Sequence, residues 1–154
     1  MNPIATAGEQ VGSARTNLFP QDAPVCGVRR LIGVVLGANL NQTNTDIAIP
    51  LILIPGANFI VSGVTINNAS VSLTTATFGV FSATAAGGVT IVTAGAVLSG
   101  LTVATSNLNA SLAATAITTV LNQTTQSNQL YFRVGTAQGA AATADIYVWA
   151  DVLT

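Results

Sequence analysis

From Val28 to the end of the chain, apolar and polar residues alternate in short runs broken by Gly, Asn and Pro, the spacing expected of strands in a sandwich or barrel. Val28 to Gly37 places Ile32, Val34 and Leu36 on one face and Leu31 and Val35 on the other. Asp46 to Ile54 points Ile47, Ile49, Leu51 and Leu53 inward, and Pro50, which cannot donate to a ladder, marks an edge or a bend. Asn58 to Ile66 sets Ile60, Val64 and Ile66 on one side and ends at the turn-forming pair Asn67 and Asn68. Val71 to Ala83 opposes Ala76, Phe78 and Val80 to Thr75, Thr77 and Phe81. Gly87 and Gly88 then turn the chain into Val89 to Ala94, a hairpin.

The C-terminal pattern is the most regular. Leu130, Phe132 and Val134 form one face of a strand, with Tyr131 and Arg133 on the other. After the connection TAQGAAAT, Ile146, Val148, Ala150 and Val152 alternate with Asp145, Tyr147, Trp149 and Asp151. These two strands are expected to be neighbours, with Tyr147 and Trp149 on the less buried face. Leu98 to Gln126 is rich in Ala, Thr and Leu. Leu108, Leu112 and Ile117 mark a conceivable helix face, but the Thr and β-branched content favours strand and loop.

About eight strands without a strong helix lead to an all-β fold, an antiparallel β-sandwich of jelly-roll connectivity over residues 28–154. A parallel β-helix competes, since Asn, Thr and Gly turns suit it, but no constant period links successive runs. Residues 1–27 differ from the rest. With Pro3, Pro20 and Pro24 and no sustained period, they read as an irregular N-terminal arm that lacks a core of its own and is expected to dock on a neighbour.

Composition changes the picture most through what it lacks. Charged residues make up 6% of the 154, hydrophobic ones 50%, and the formal net charge is −1, with no lysine and no histidine. A freely dispersed domain carries about a quarter charged residues, so this surface is expected to face other protein. The longest apolar stretch, Ile47 to Ala57, is interrupted by Pro50, Pro55 and Gly56 and is too short to span a membrane. The start MNPIATAGEQ lacks the basic and apolar regions of an export signal, and Arg29–Arg30 before LIGVVL lacks the length and cleavage site of a twin-arginine signal. Cys26, the sole cysteine, permits no internal disulfide and reads as a small apolar residue. The sequons at Asn41, Asn68, Asn109 and Asn122 follow from an Asn- and Thr-rich composition.

Catalysis is not expected, because without His or Lys the usual general bases, Schiff-base amine and imidazole ligands are missing. Asp145 and Asp151 share a strand face but lie roughly 20 Å apart at about 3.3 Å per residue, too far to flank one glycosidic bond. Asn39, Asn41, Asn44 and Asp46 supply oxygens without the spacing of a calcium loop, so no metal or cofactor is expected and the segment reads as an Asx-rich turn. Four arginines against five acids make no basic surface for nucleic acid. Thr75 and Thr77 belong to no regular Thr-x-Thr array of the ice-binding kind; Thr is simply a good strand residue that wets a surface without charge.

An irregular arm, a compact Thr-, Ala- and Gly-rich β-domain and the terminal segment LYFRVGTAQGAAATADIYVWADVL together resemble the capsid decoration, or cement, proteins of tailed bacteriophages. That resemblance implies a β-sandwich subunit that assembles as a homotrimer on the outside of the virion after synthesis in the host cytoplasm, and stabilises the shell by bridging neighbouring major capsid proteins. It implies no cofactor, no nucleic acid and no membrane. On this view the capsid contacts are Ile4, Val11, Leu18 and Phe19 as apolar anchors of the arm, Arg15 to a capsid carboxylate, and Arg29 and Arg30 where arm meets domain, the last two being equally suited to solvation or pairing within the fold. The alternative is a receptor- or glycan-binding module of a fibre or tail, for which Tyr147 and Trp149 are the ligand-contact pair. A secreted glycan-binding or surface-layer protein is disfavoured by the absence of a recognisable export signal.

Overall fold

The computed structural model describes residues 28–53, 56–102, 106–123 and 128–153. Among these the chain forms strands β1 (Val28–Asn39), β2 (Asp46–Pro50), β3 (Asn58–Asn67), β4 (Thr77–Ala83), β5 (Gly87–Val97) and β6 (Asn107–Asn109). The short helix α1 (Ala114–Thr118) precedes β7 (Leu121–Asn122), β8 (Gln129–Thr136) and β9 (Thr143–Leu153). The strands build two antiparallel sheets that face each other: β1-β9-β3-β6, with β7 also paired to β3, and β2-β8-β4-β5. The all-β sandwich is thus present. The arm assigned to residues 1–27 lies outside the described residues, and with it Ile4, Val11, Arg15, Leu18, Phe19 and Cys26.

Pairing is nested. β4 pairs with β5, β3 with β6 and β7, β2 with β8, and β1 with β9, as in a long hairpin ribbon that has been rolled up. Rolling adds the contacts β3–β9 and β4–β8, which make β9, β3, β8 and β4 the interior strands. The core between the sheets is apolar throughout, with Ile32, Ile49, Phe59, Ile66, Phe78, Phe132, Ile146 and Val148 buried. Phe78 and Phe132 stack across the β4–β8 pair with ring centroids 4.9 Å apart.

Both sides of the sandwich are tied. On one, β1 meets β2 through the bridge Gly33–Leu51 and through the Ile52 N–H, which donates to the Ile32 carbonyl at 2.6 Å. A Cβ on Gly33 would lie 2.7 Å from Ile49 Cγ2, so the absent side chain is what lets β2 approach. On the other side, the Ala113 N–H and the Thr115 hydroxyl donate to the Ile91 and Thr90 carbonyls of β5, at 2.8 and 2.6 Å.

Several expectations are corrected. The connection 137–142 crosses the sandwich, so β8 and β9 lie in different sheets and are not neighbours. A bulge between Leu31 and Gly33 shifts the phase of β1 by one residue. Ile32 therefore stays buried, but Val34 shares the outer face with Tyr147, and Leu36 is 68% exposed. A second bulge, between Val61 and Gly63, places Phe59, Val61, Val64 and Ile66 in the core and leaves Ile60 only half-buried. Residues 71–76 are not strand; the loop is fastened by Gln138, whose Oε1 accepts N–H bonds from Thr74, Thr75 and Ala76 at 3.1–3.2 Å. In α1 only Ala116 is buried, and Ile117 points to solvent.

Candidate functional site

β9 is an interior strand with one face in the core and one face open, so its alternation survives intact. Ile146, Val148 and Ala150 are buried, while Tyr147 and Trp149 stand half-buried on the outside, as the sequence pattern indicates. Trp149 has Leu31 of β1 on one flank and Gly63 of β3 on the other. The two bulges fall beside it, one on each neighbouring strand. Bulges bend a strand and re-aim its side chains, and here they open the sheet around the indole.

A groove of about 630 Å³ results. Its floor is Trp149 and Gly63, and the segment Asn109–Leu112, which leaves β6 to cross towards β5, lines it as well. From β1, Arg29 reaches over the indole, its Cζ 5.6 Å from the ring centroid. The guanidinium occupies the space left by the side chain Gly63 lacks: a Cβ there would collide with Arg29 Nη2. The Arg29 side chain makes no hydrogen bond or ion pair with any described residue, the ion pair among these residues being Arg133–Asp46. Thr65 donates to Asn109 Oδ1 at 2.9 Å, which leaves the Asn109 amide N–H groups facing other partners. Ser62, inside the β3 bulge, lines the groove with a buried hydroxyl that has no partner among the described residues.

Of the residues singled out from sequence, the fold brings Arg29 and Trp149 together and places Tyr147 on the same face, opposite Val34 and Thr65. It separates Arg30, which lines an apolar depression with Ile52 and Val152. Ser62, Gly63 and Asn109 escape sequence reasoning, although a glycine inside a strand run signals a bulge or a close approach and could have drawn attention to Gly63.

The other polar candidates are occupied within the fold. Asp145 accepts from the Gly37 N–H at 2.7 Å and from Asn68 Nδ2 at 2.9 Å. In the Asx-rich segment Asn39 Oδ1 accepts from the Asn41 N–H, and Asp46 binds Arg133, whose second nitrogen also reaches Asn44 Oδ1. Burial of Asp46 raises its pKa, but the Ala85 N–H and the hydrogen bond and charge of Arg133 outweigh this and hold it below the usual aspartate value.

Comparisons with family models, with curated proteins and with solved structures find no match for the chain.

Proposed function

We propose that the chain is a structural virion protein that decorates a phage capsid and stabilises it by bridging major capsid subunits, as a homotrimer and without catalysis. The observation that carries this reading is the surface of the body. Residues 28–154 hold three arginines and three aspartates, and the exposed faces are made of Thr, Asn, Ser and Ala with large apolar side chains among them. Leu36 and Ile52 are exposed on the β1–β2 side, and Val97 and Ile117 on the side of β5 and α1. Exposed apolar side chains on two different, opposite sides suit a head-to-tail contact that closes into a ring, the arrangement a cyclic trimer uses.

The nested pairing of the strands is what jelly-roll connectivity produces, and that connectivity belongs to the proposal. A protein that binds only the assembled shell stabilises it by mass action, and three linked copies hold better than one. The arm, residues 1–27, would make the capsid contact through Ile4, Val11, Arg15, Leu18 and Phe19. Its deletion is expected to abolish binding to empty expanded heads while leaving a folded trimer; a trimer that still binds heads without the arm would refute this division of labour.

One observation favours a second reading, a glycan-binding module of a fibre or tail: the open groove around Trp149, with a guanidinium and amide groups at its rim. The copy number in purified particles separates the two, hundreds for a decoration protein and a handful for a fibre or tail part.

A further inference from the structure

We infer that the groove over β9 is a binding site for a carboxylated pyranose, a sugar ring bearing an acid group, held by Arg29, Trp149, Ser62 and Asn109. The inference goes beyond the shell-binding role and does not depend on it, since the groove lies on the sandwich body and not on the arm.

Three features point to this class of ligand. The Arg29 guanidinium lies over the indole and against Gly63, yet no described residue accepts its N–H groups. Asp151 stands across from Arg29 in the β1–β9 register, but it does not form an ion pair with it and does not line the groove. A fork of donors without a partner among the described residues is suited to a carboxylate, which it can bind through two parallel hydrogen bonds. Second, the groove's other polar groups are uncharged hydroxyls and amides: Ser62, whose buried hydroxyl has no partner among the described residues, and Asn109, whose amide nitrogen remains available. Buried polar groups are rarely left without partners, and sugar hydroxyls, which donate and accept, suit both. Third, Trp149 and Leu112 supply an apolar surface for the C–H face of a ring, in a volume within the range of small-ligand pockets. An acidic peptide would use the guanidinium but brings no saturated ring face to the indole and Leu112.

Trp149 is the chain's sole tryptophan, so its fluorescence reports directly on the groove. The full-length protein is titrated with a galacturonic acid tetramer, a sialic acid tetramer, the carboxyl-reduced galacturonic acid tetramer and a polyglutamate peptide. The expected result is a saturable change with one or both acidic sugars, telling uronate from sialate, and binding about tenfold weaker or worse for the reduced tetramer. Arg29→Gln is expected to bring the acidic sugar to the level of the reduced one. Gly63→Ala is expected to do nearly the same with an unchanged melting temperature, because the new methyl displaces only the flexible end of Arg29. Equal binding of acidic and reduced tetramers, tighter binding of polyglutamate, or no response to either acidic sugar at millimolar concentration would overturn the inference. None of these results bears on binding to heads, which is measured separately.

Discussion

Asp46 on β2 stands directly across from Arg133 on β8, with Arg133 Nη1 2.8 Å from Asp46 Oδ1. The same carboxylate accepts the Ala85 N–H at 2.8 Å, so one side chain links the edge of a sheet to the tip of the β4–β5 hairpin. The pair is only partly exposed, which makes it worth more than a surface ion pair.

The pH dependence follows from the lowered pKa of Asp46. A carboxyl that is more acidic when folded contributes its stability above the unfolded value of about 3.9. That contribution is lost as pH falls through the lower folded value. Asp46→Asn is expected to cost about 1–2 kcal/mol at neutral pH. Its thermal midpoint should also fall less steeply than that of the wild type below about pH 4, which melts at a series of pH values will show.

The hairpin tip is strained. Ala85 and Ala86 both have positive φ, 57° and 60°, and Gly87 N–H closes the turn on the Thr84 carbonyl. Two positive φ values define the turn that Asn-Gly fits best, and alanine reaches them only at a steric cost. Ala85→Asn with Ala86→Gly is expected to stabilise the protein by about 0.5–1 kcal/mol, measured by urea denaturation.

Gln138 ties the β8–β9 connection to the loop before β4. Besides taking three backbone N–H groups on one oxygen, it donates through Nε2 to the Ser72 carbonyl at 3.3 Å. Gln138→Ala strips those amides of their acceptor. A loss of about 1–2 kcal/mol is expected, with faster hydrogen exchange confined to residues 72–76.

Leu36 and Ile117 test the proposed association surfaces. Both are exposed and lie outside the buried core. Leu36→Asp and Ile117→Asp are each expected to change the stability of the isolated body by no more than about 0.5 kcal/mol while shifting sedimentation from trimer to monomer. A trimer that tolerates both charges would rule out these two sides as its contacts.

How much the sequence disclosed depended on where the alternation stayed in phase. β9 has no bulge facing the core and kept its period, so the burial of Ile146, Val148 and Ala150 and the outward position of Trp149 were legible. β1 was legible as a strand but not in its faces, because one inserted residue at Ile32–Gly33 reverses the side chains up to Leu36, a second shift before Ala38 restores the phase, and neither leaves a mark on a period-two template. The pairing of β8 with β2 and β4 was hidden for another reason: a connection as short as TAQGAAAT fits a hairpin and a crossing equally well, and only the packing of the whole ribbon decides. The groove was half visible. Trp149 announced itself, whereas Arg29 and Gly63 meet it only through bulges on two strands far apart in sequence.

The most direct measurement of the association role is co-sedimentation of the purified chain with empty expanded phage heads, with its own oligomeric state read in the same instrument. A trimer that saturates the heads at many copies, and loses them when residues 1–27 are removed, is the predicted result. A monomer at high concentration that leaves the heads bare would contradict it.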